Sequence, residues 1–291
     1  MNYVFHILIM INIYIILSVS TNLLVGMANL LSLGQAAFYG IGAYVTAYAL
    51  IGLGLPLLPT LLLAMGVTAI FSFLLAYISL KLEGDYFILA TLGFQIIIFT
   101  ILYNWIDVTR GPYGIPGIPS PKLFGLVKIE GITGYIILST ILSAITIFVF
   151  YKIINSPFGR ALKGMRDDEI AMISLGKNIT VLKVEAFVLS SAFVAIAGFI
   201  YASYISYIDP TSFNLDEAIF ILTAILIGGT GNIKGPVIGA VFVVLLPEIL
   251  RFVGMPDNLA ANMRMIIYGL TLIILMRYRP QGIAGEYKFS K

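Results

Sequence analysis

Side chains able to do chemistry are few in this 291-residue chain and unevenly spread. There is one histidine, His6, and no cysteine, so thiol catalysis, thiolate metal sites and disulfides are excluded. His6 sits in an apolar run without a second ligand-type neighbour, which argues against a metal site. No phosphate-cradling G-x-x-x-x-G-K-[ST] loop occurs; in the nearest stretch, 228–234, Lys234 is followed by Gly235 and the spacing is wrong. Two groups of residues remain. The first is a polar island at 151–183 that carries Lys152, Arg160, Lys163, Arg166, Lys177 and Lys183 together with Asp167, Asp168 and Glu169. That mixture suits ion-paired docking of another protein. The second is a thin scatter of Gln35, Gln95, Thr91 and Thr223 inside apolar segments. These groups can hydrogen-bond a small polar solute, or simply tie one helix to the next at about 0.6–2 kcal/mol each. No catalytic residue is expected, and no cofactor is expected to bind this chain.

The elements that must position these residues follow from composition. The chain is 60% hydrophobic and 11% charged, with a mean hydropathy of +1.02; soluble domains are about 25% charged. It reads as an all-α, polytopic transmembrane helical bundle. Apolar stretches lie at 4–24, 33–50, 56–80, 86–103, 135–153, 184–206, 218–227, 236–252 and 265–276, which gives about 8–10 membrane segments. No polar stretch is long enough for a soluble domain of about 50 residues, so 1–291 is expected to be one transmembrane domain. The N-terminal stretch lacks the basic start and small-residue cleavage site of a secretory signal and reads as the first span. Residues 218–227 are too short to cross unless Asp216 and Glu217 lie near one surface and Gly228-Gly229 near the other, and short segments next to glycines mark broken or re-entrant helices. Residues 33–50, with Gly34, Gly40 and Gly42, invite the same reading. Small residues there, and Gly235 and Gly239 later, permit close helix approach. Ionisable groups look confined to segment ends: Glu185, Glu248, Arg251 and Arg264 lie near edges, and Glu248 and Arg251 have the spacing of a pair on one helix face. With no evident buried carboxylate, an ion-coupled carrier lacks its usual relay.

Orientation follows from the basic residues. No loop before the island holds more than three lysines or arginines, and such an excess marks the cytoplasmic side. Counting outward, the loops at 104–134, 207–217 and 254–264 fall outside, while 81–85, 228–235 and the basic tail (Arg277, Arg279, Lys288, Lys291) fall inside. The outside loop at 207–217 has acids and no base. The loop at 104–134 is rich in Gly and Pro and carries Tyr103 and Trp105 at the membrane edge. Within the island, Ser156 before Pro157 is a helix start. Asp167, Asp168 and Glu169 favour a second N-terminus, and Gly176 a stop after Leu175. The expectation is helices at 158–165 and 168–175, with Leu162, Met165, Met172 and Leu175 forming an apolar stripe. The stripe packs either on its own bundle or on a partner. The turn Gly228-Gly229-Thr230-Gly231-Asn232 is a plain loop or a second contact. Asn178-Ile179-Thr180 has the form of a glycosylation acceptor but falls on the cytoplasmic side, where it is given no role.

Several stretches carry a resemblance. Ser156-Pro157-Phe158-Gly159-Arg160-Ala161-Leu162-Lys163-Gly164-Met165-Arg166-Asp167-Asp168-Glu169-Ile170-Ala171, then Leu175-Gly176, Lys183, Ala186-Phe187-Val188-Leu189-Ser190 and Ala197-Gly198, form the first. Ser32 to Tyr44, with Gln35, Phe38, Gly40 and Gly42, is the second. Ala90-Thr91-Leu92-Gly93-Phe94 and Ile227 to Ala240 complete the set. Taken in chain order, these stretches cover nearly the whole sequence, and the chain resembles permeases of branched-chain amino acid ABC importers, closer to the LivM than the LivH type. The resemblance implies a multi-pass subunit of the cell (plasma or inner) membrane. It implies four protein partners: a second homologous permease in a heterodimer, two cytosolic ABC ATPases on which ATP acts, and an extracytoplasmic solute-binding protein. It also assigns a coupling role to the segment 154–183, with Phe158, Arg160, Leu162, Met165, Arg166, Asp167, Asp168, Glu169, Leu175 and Gly176 facing the ATPase. A translocation path would use Gln35, Phe38, Gly40, Gly42, Thr91, Gln95 and Thr223 for a small-molecule substrate. No nucleic acid is implied. The stretch Thr109 to Pro119 departs from the Thr-Gly-Gly often found in this family. A permease of the same family for urea, amides or another small polar solute is the alternative, and an ion-coupled secondary transporter a more distant one. Since the chain has no cysteine, orientation is directly measurable. A single cysteine at Lys177 is expected to react with a membrane-impermeant maleimide only in inside-out vesicles, and one at Tyr113 only in right-side-out vesicles; the reverse pattern refutes the topology.

Overall fold

A computed structural model describes residues 2–80, 82, 84–123, 127–129, 131–252, 257–278 and 281–285. Its helices follow the apolar stretches. They are α1 (Asn2–Asn22, continued by a π turn Leu23–Met27), α2 (Gln35–Ile51), α3 (Leu57–Ser79), α4 (Asp85–Asn104), the short α5 (Ile106–Thr109) and α6 (Gly131–Asn155). Then come α7 (Pro157–Asp167), α8 (Glu169–Ser174), α9 (Ile179–Ile205), α10 (Leu215–Gly228), α11 (Lys234–Phe252) and α12 (Asp257–Tyr278). Among the described residues, six stretches are long and apolar enough to cross a membrane by length and composition, Pro210–Gly228 among them. The protein is a multi-pass helical membrane bundle. The side chains of Arg251 and Arg264, and the tail residues Arg279, Lys288 and Lys291, lie outside the described residues; Glu248 accepts a hydrogen bond from the Tyr3 hydroxyl.

The bundle is wound around α1, two-thirds of whose most apolar window is buried, against 28% for α4 at the periphery. Contacts at its two ends set its direction. Near the start, His6 Nδ1 lies 2.9 Å from the Tyr204 hydroxyl at the far end of α9. Beyond its last turn, Gly26 O accepts from Arg166 of the polar island at 2.9 Å. The start of α1 and the island are therefore on opposite faces, which ties the weakly charged N-terminal half to the same alternation as the rest.

Close helix approach rests on missing side chains. A Cβ on Gly42 of α2 would stand 2.6 Å from Ala195 Cα of α9, and one on Gly198 of α9 would stand 2.5 Å from Tyr39 O and 2.6 Å from Ala43 N. Each helix thus offers the other a glycine notch, so dispersion contacts replace the hydrophobic force that lipid cannot supply. Gly235 and Gly239 of α11 do the same against Gly228, Gly229 and Ala224 O of α10. The expected break within 33–50 is not there: α2 runs unbroken from Gln35 to Ile51. Gly40 lies under the Phe213 ring and Gly42 on Ala195, and a straight helix is what keeps both notches in register. The irregular backbone instead precedes α2, at 28–34.

On the face opposite the polar island, the described residues of the loop after α4 form two small strand pairs. Its strand β1 (Ile115–Pro116) pairs antiparallel with β4 (Tyr207–Ile208), while β2 (Lys122–Leu123) pairs with β3 (Val127–Lys128). Gly117 N donates to Ser206 O at 2.9 Å, fastening the loop to the end of α9. Gly42→Val is expected to cost about 3 kcal/mol by wedging α2 from α9. Gly66, with no atom within 4 Å of an added Cβ, should accept Ala with no loss, and thermal melts of the two variants in one detergent test the difference.

Candidate functional site

The polar island folds as its caps dictate. Ser156 Oγ accepts from Gly159 N at 3.3 Å to start α7, and Asp168 Oδ1 accepts from Ala171 N at 3.0 Å to start α8. Gly176, at φ +75°, ends it. Asn178 turns out to be the N-cap of α9, its Oδ1 accepting from Val181 N at 3.2 Å. The apolar stripe divides. Leu162, Met165 and Met172 are buried on the bundle, whereas Leu175 is 74% exposed beside Ile170 at 77% and Ile173 at 60%. Arg166 also turns inward, bonding Gly26 O and pairing with Asp167 at 3.0 Å. Lys183 on α9 holds Glu169 at 2.6 Å and so pins α8. The segment has an inner, fixed side and an outer face of Arg160, Asp168, Ile170, Ile173 and Leu175. Phe158 is half-buried. Leu162 and Met165 are core residues: their spacing made an amphipathic helix visible, but not which body its apolar side would meet.

A second site lies halfway across the bundle. After β4 the chain dips inward through a 3-10 turn, Pro210–Phe213, breaks at Asn214 and starts α10. Depth is fixed by two hydrogen bonds. Gln95 Nε2 donates to Phe213 O at 2.8 Å, and Gln95 is the eleventh of the 20 residues of α4. Tyr14, near the middle of the 26-residue stretch Asn2–Met27, donates to Glu217 Oε1 at 2.8 Å. At its other end α10 approaches the base of α1, where Asn22 Nδ2 donates to Asn232 O at 2.8 Å. So α10 is a half-helix running from mid-depth to the side of the polar island. Its first turn holds Asp216 and Glu217, and Asn214 Oδ1 caps Glu217 N at 3.1 Å. Acids suit a helix N-terminus, but here they stand where hydrocarbon would surround an ordinary span. The expectation that ionisable groups keep to segment ends is thereby corrected; a broken helix carries its end into the middle.

Asp216 is exposed, and among the described residues it pairs with no cation; its Oδ2 accepts only from Asn214 Nδ2, at 3.2 Å. Two cavities, each of about 200 Å³, meet at this carboxylate. One is lined by Gln95, Phe99 and Asn214, the other by Thr223, Phe220 and Tyr268. The Gln95 amide is oriented by the Phe213 carbonyl, which needs a donor, so Oε1 is the atom left buried without a partner. The site therefore offers acceptors: a carboxylate and an amide oxygen. Such a lining attracts a cationic or hydrogen-bond-donating group. A charged side chain at mid-membrane costs about 2.5–3.5 kcal/mol and faces a bundle interior or water.

The remaining expected path residues are placed in packing. Thr91 Oγ1 accepts from Leu33 N at 3.1 Å, which satisfies the irregular backbone before α2. Phe38 is fully buried with its ring 5.3 Å from Phe94 and 5.7 Å from Phe187. Gln35 begins α2, 1% exposed, with both amide atoms unpartnered. Gly40 and Gly42 are contact notches. Asp216 was missed because its neighbourhood reads as an acidic surface loop. The usable signal was the shortness of the apolar run after it.

Comparison with known proteins agrees with this architecture. The family described as branched-chain amino acid transport system / permease component matches residues 3–276. The high-affinity branched-chain amino acid transport system permease protein LivM of Salmonella typhimurium is 35% identical over 93% of this chain and 67% of its own length. LivM of Escherichia coli is 33% identical over the same shares. A LivM branched-chain amino acid transport permease of Methanocaldococcus jannaschii is 27% identical over 81% of this chain and 70% of that protein. No solved structure matches the chain. With the match running from α1 through almost all of α12, over the half-helix and the polar island alike, the chain belongs to the branched-chain amino acid transport permease family.

Proposed function

We propose that the chain is the membrane-spanning subunit of an ATP-driven importer of branched-chain amino acids, working as one permease domain (1–291) in the cytoplasmic membrane. It pairs with a second, homologous permease. An extracytoplasmic binding protein delivers the solute at the outer face near the β1–β4 loop, and two cytosolic ATPases supply the energy. The chain itself binds no nucleotide; its coupling segment, 154–183, meets the ATPase through the outer face of α7 and α8. The observation that carries this reading is Asp216, an exposed carboxylate without a cationic partner among the described residues, half-way through the bundle between two cavities. Facing lipid it would be costly; facing the second permease across a wet path it can meet the ammonium group of an amino acid. A neutral amide or urea would have less use for that charge. Gln95 and Thr223 line the same path.

A line of contacts joins motor face to path. Arg166 grips the end of α1 at Gly26, and Tyr14 on α1 holds Glu217 in the first turn of α10. Closure of the ATPases would push α7, move α1 along its axis and reset the mouth of α10, alternating the side to which Asp216 opens. Asp216→Asn is expected to lower leucine uptake by the reconstituted four-subunit transporter with its binding protein at least ten-fold, while the ATPases still co-purify; unchanged uptake sinks the path. Ile173→Glu combined with Leu175→Glu should release the ATPases from detergent-solubilised complex, since it puts two charges into the proposed apolar contact. Retention of both ATPases would remove α8 from the coupling surface.

A further inference from the structure

A further void lies beside the inner side of the polar island, away from the proposed ATPase face and from the Asp216 cavities. It is a groove of about 620 Å³ between the inner half of α6 and the turn that starts α11. Its floor is apolar, with Ile147, Phe148 and Ile154, and its rim carries Asn155, Lys163 and Lys234. From Ala144 to Asn155 the lining climbs α6 by about 16 Å. The groove therefore begins at the cytoplasmic headgroup level and ends in the hydrocarbon of the inner leaflet. No carboxylate lines it. Lys163 and Lys234 form no ion pair among the described residues, and Lys152, one turn from the rim, lies with Nζ 5.6 Å from the Phe148 ring centroid. The groove opens sideways along the lipid-facing ridge of Ile141, Ile145, Phe148 and Tyr151, all about half or more exposed.

We infer that this groove is a binding site for an anionic phospholipid of the inner leaflet. Its phosphate would sit between Lys163 and Lys234 while one acyl chain descends over Ile147 and Phe148. Cationic rim, apolar floor and depth each select that occupant. A soluble ATPase can reach the lysines but not a cleft that climbs about 16 Å into hydrocarbon, and an amino acid has no chain to fill it. Free phosphate would satisfy the rim and leave the floor empty. Because Lys163 is on the coupling helix α7 and Lys234 on the transmembrane helix α11, the headgroup ties the two together. Anionic lipid thus stiffens the joint through which α7 moves.

The test uses the full chain in nanodiscs. Native mass spectrometry compares retained phosphatidylglycerol with phosphatidylcholine, and a phosphatidylglycerol with a photoreactive acyl chain maps the contact. Retention of phosphatidylglycerol over phosphatidylcholine is expected, with labels on 144–155 and 231–234. Each lysine removed should reduce the preference about five-fold, so Lys163→Gln with Lys234→Gln nearly abolishes it and Lys163→Arg with Lys234→Arg keeps it. Equal retention of the two lipids by the unaltered chain overturns the proposal, as does labelling confined to other helices or a preference that survives the double glutamine change. Should the double glutamine chain fail to accumulate, the label map of the unaltered chain decides. Crosslinks that place a protein partner in the groove in intact membranes also refute it.

Discussion

Hydrocarbon gives a polar backbone group no water to bond, so every interruption of a helix inside the bilayer must be repaired by the protein itself. Two interruptions in this chain meet that constraint on one face of α4. Thr91 accepts from Leu33 N in the irregular stretch before α2, and Gln95 donates to Phe213 O where the chain breaks before α10. The two residues are one turn apart and serve breaks from opposite ends of the sequence. Polar side chains in apolar spans are costly unless used; here their first use is structural. What remains after the repair is the Oε1 of Gln95, buried without a hydrogen-bond partner.

The broken helix also changes where charge can stand. A continuous span places its termini, and the acids that favour an N-terminus, in the interfacial layers. By starting at Asn214, α10 brings its N-terminal dipole end and two carboxylates to mid-depth. Glu217 is held by Tyr14 of the central helix, and Asp216 is left facing out. One residue is a fastening and its neighbour opens onto two cavities, because successive helical positions are turned about 100° apart. The polar island divides in the same way, with Leu162 and Met165 inward and Ile173 and Leu175 outward.

Glycine notches set the distances on which this depends. With Gly42 against Ala195 and Gly198 against the backbone of α2, α2 and α9 approach closely enough to place Phe213 over Gly40. Larger residues there would move the 3-10 turn, and with it the bond from Gln95. Packing in lipid gains from contact alone, so the site is only as well defined as these contacts.

Much of this was legible in the residues. Apolar stretches long enough to span, a dense basic island and capping signals at Ser156, Asp168 and Gly176 determined that the chain is a helical membrane protein and how the polar island folds. Those are local properties, set by backbone hydrogen bonding and the cost of charge in lipid. The shortness of 218–227 likewise pointed to a broken helix. Tertiary structure alone decided the depth of that break, since depth comes from which residue of α4 and α1 it meets. It also decided that Gly40 and Gly42 are notches in a straight helix, that Leu162 faces its own bundle, and that Asp216 lies between two cavities. Those outcomes depend on partners far away in sequence, and residue type by itself does not specify a partner.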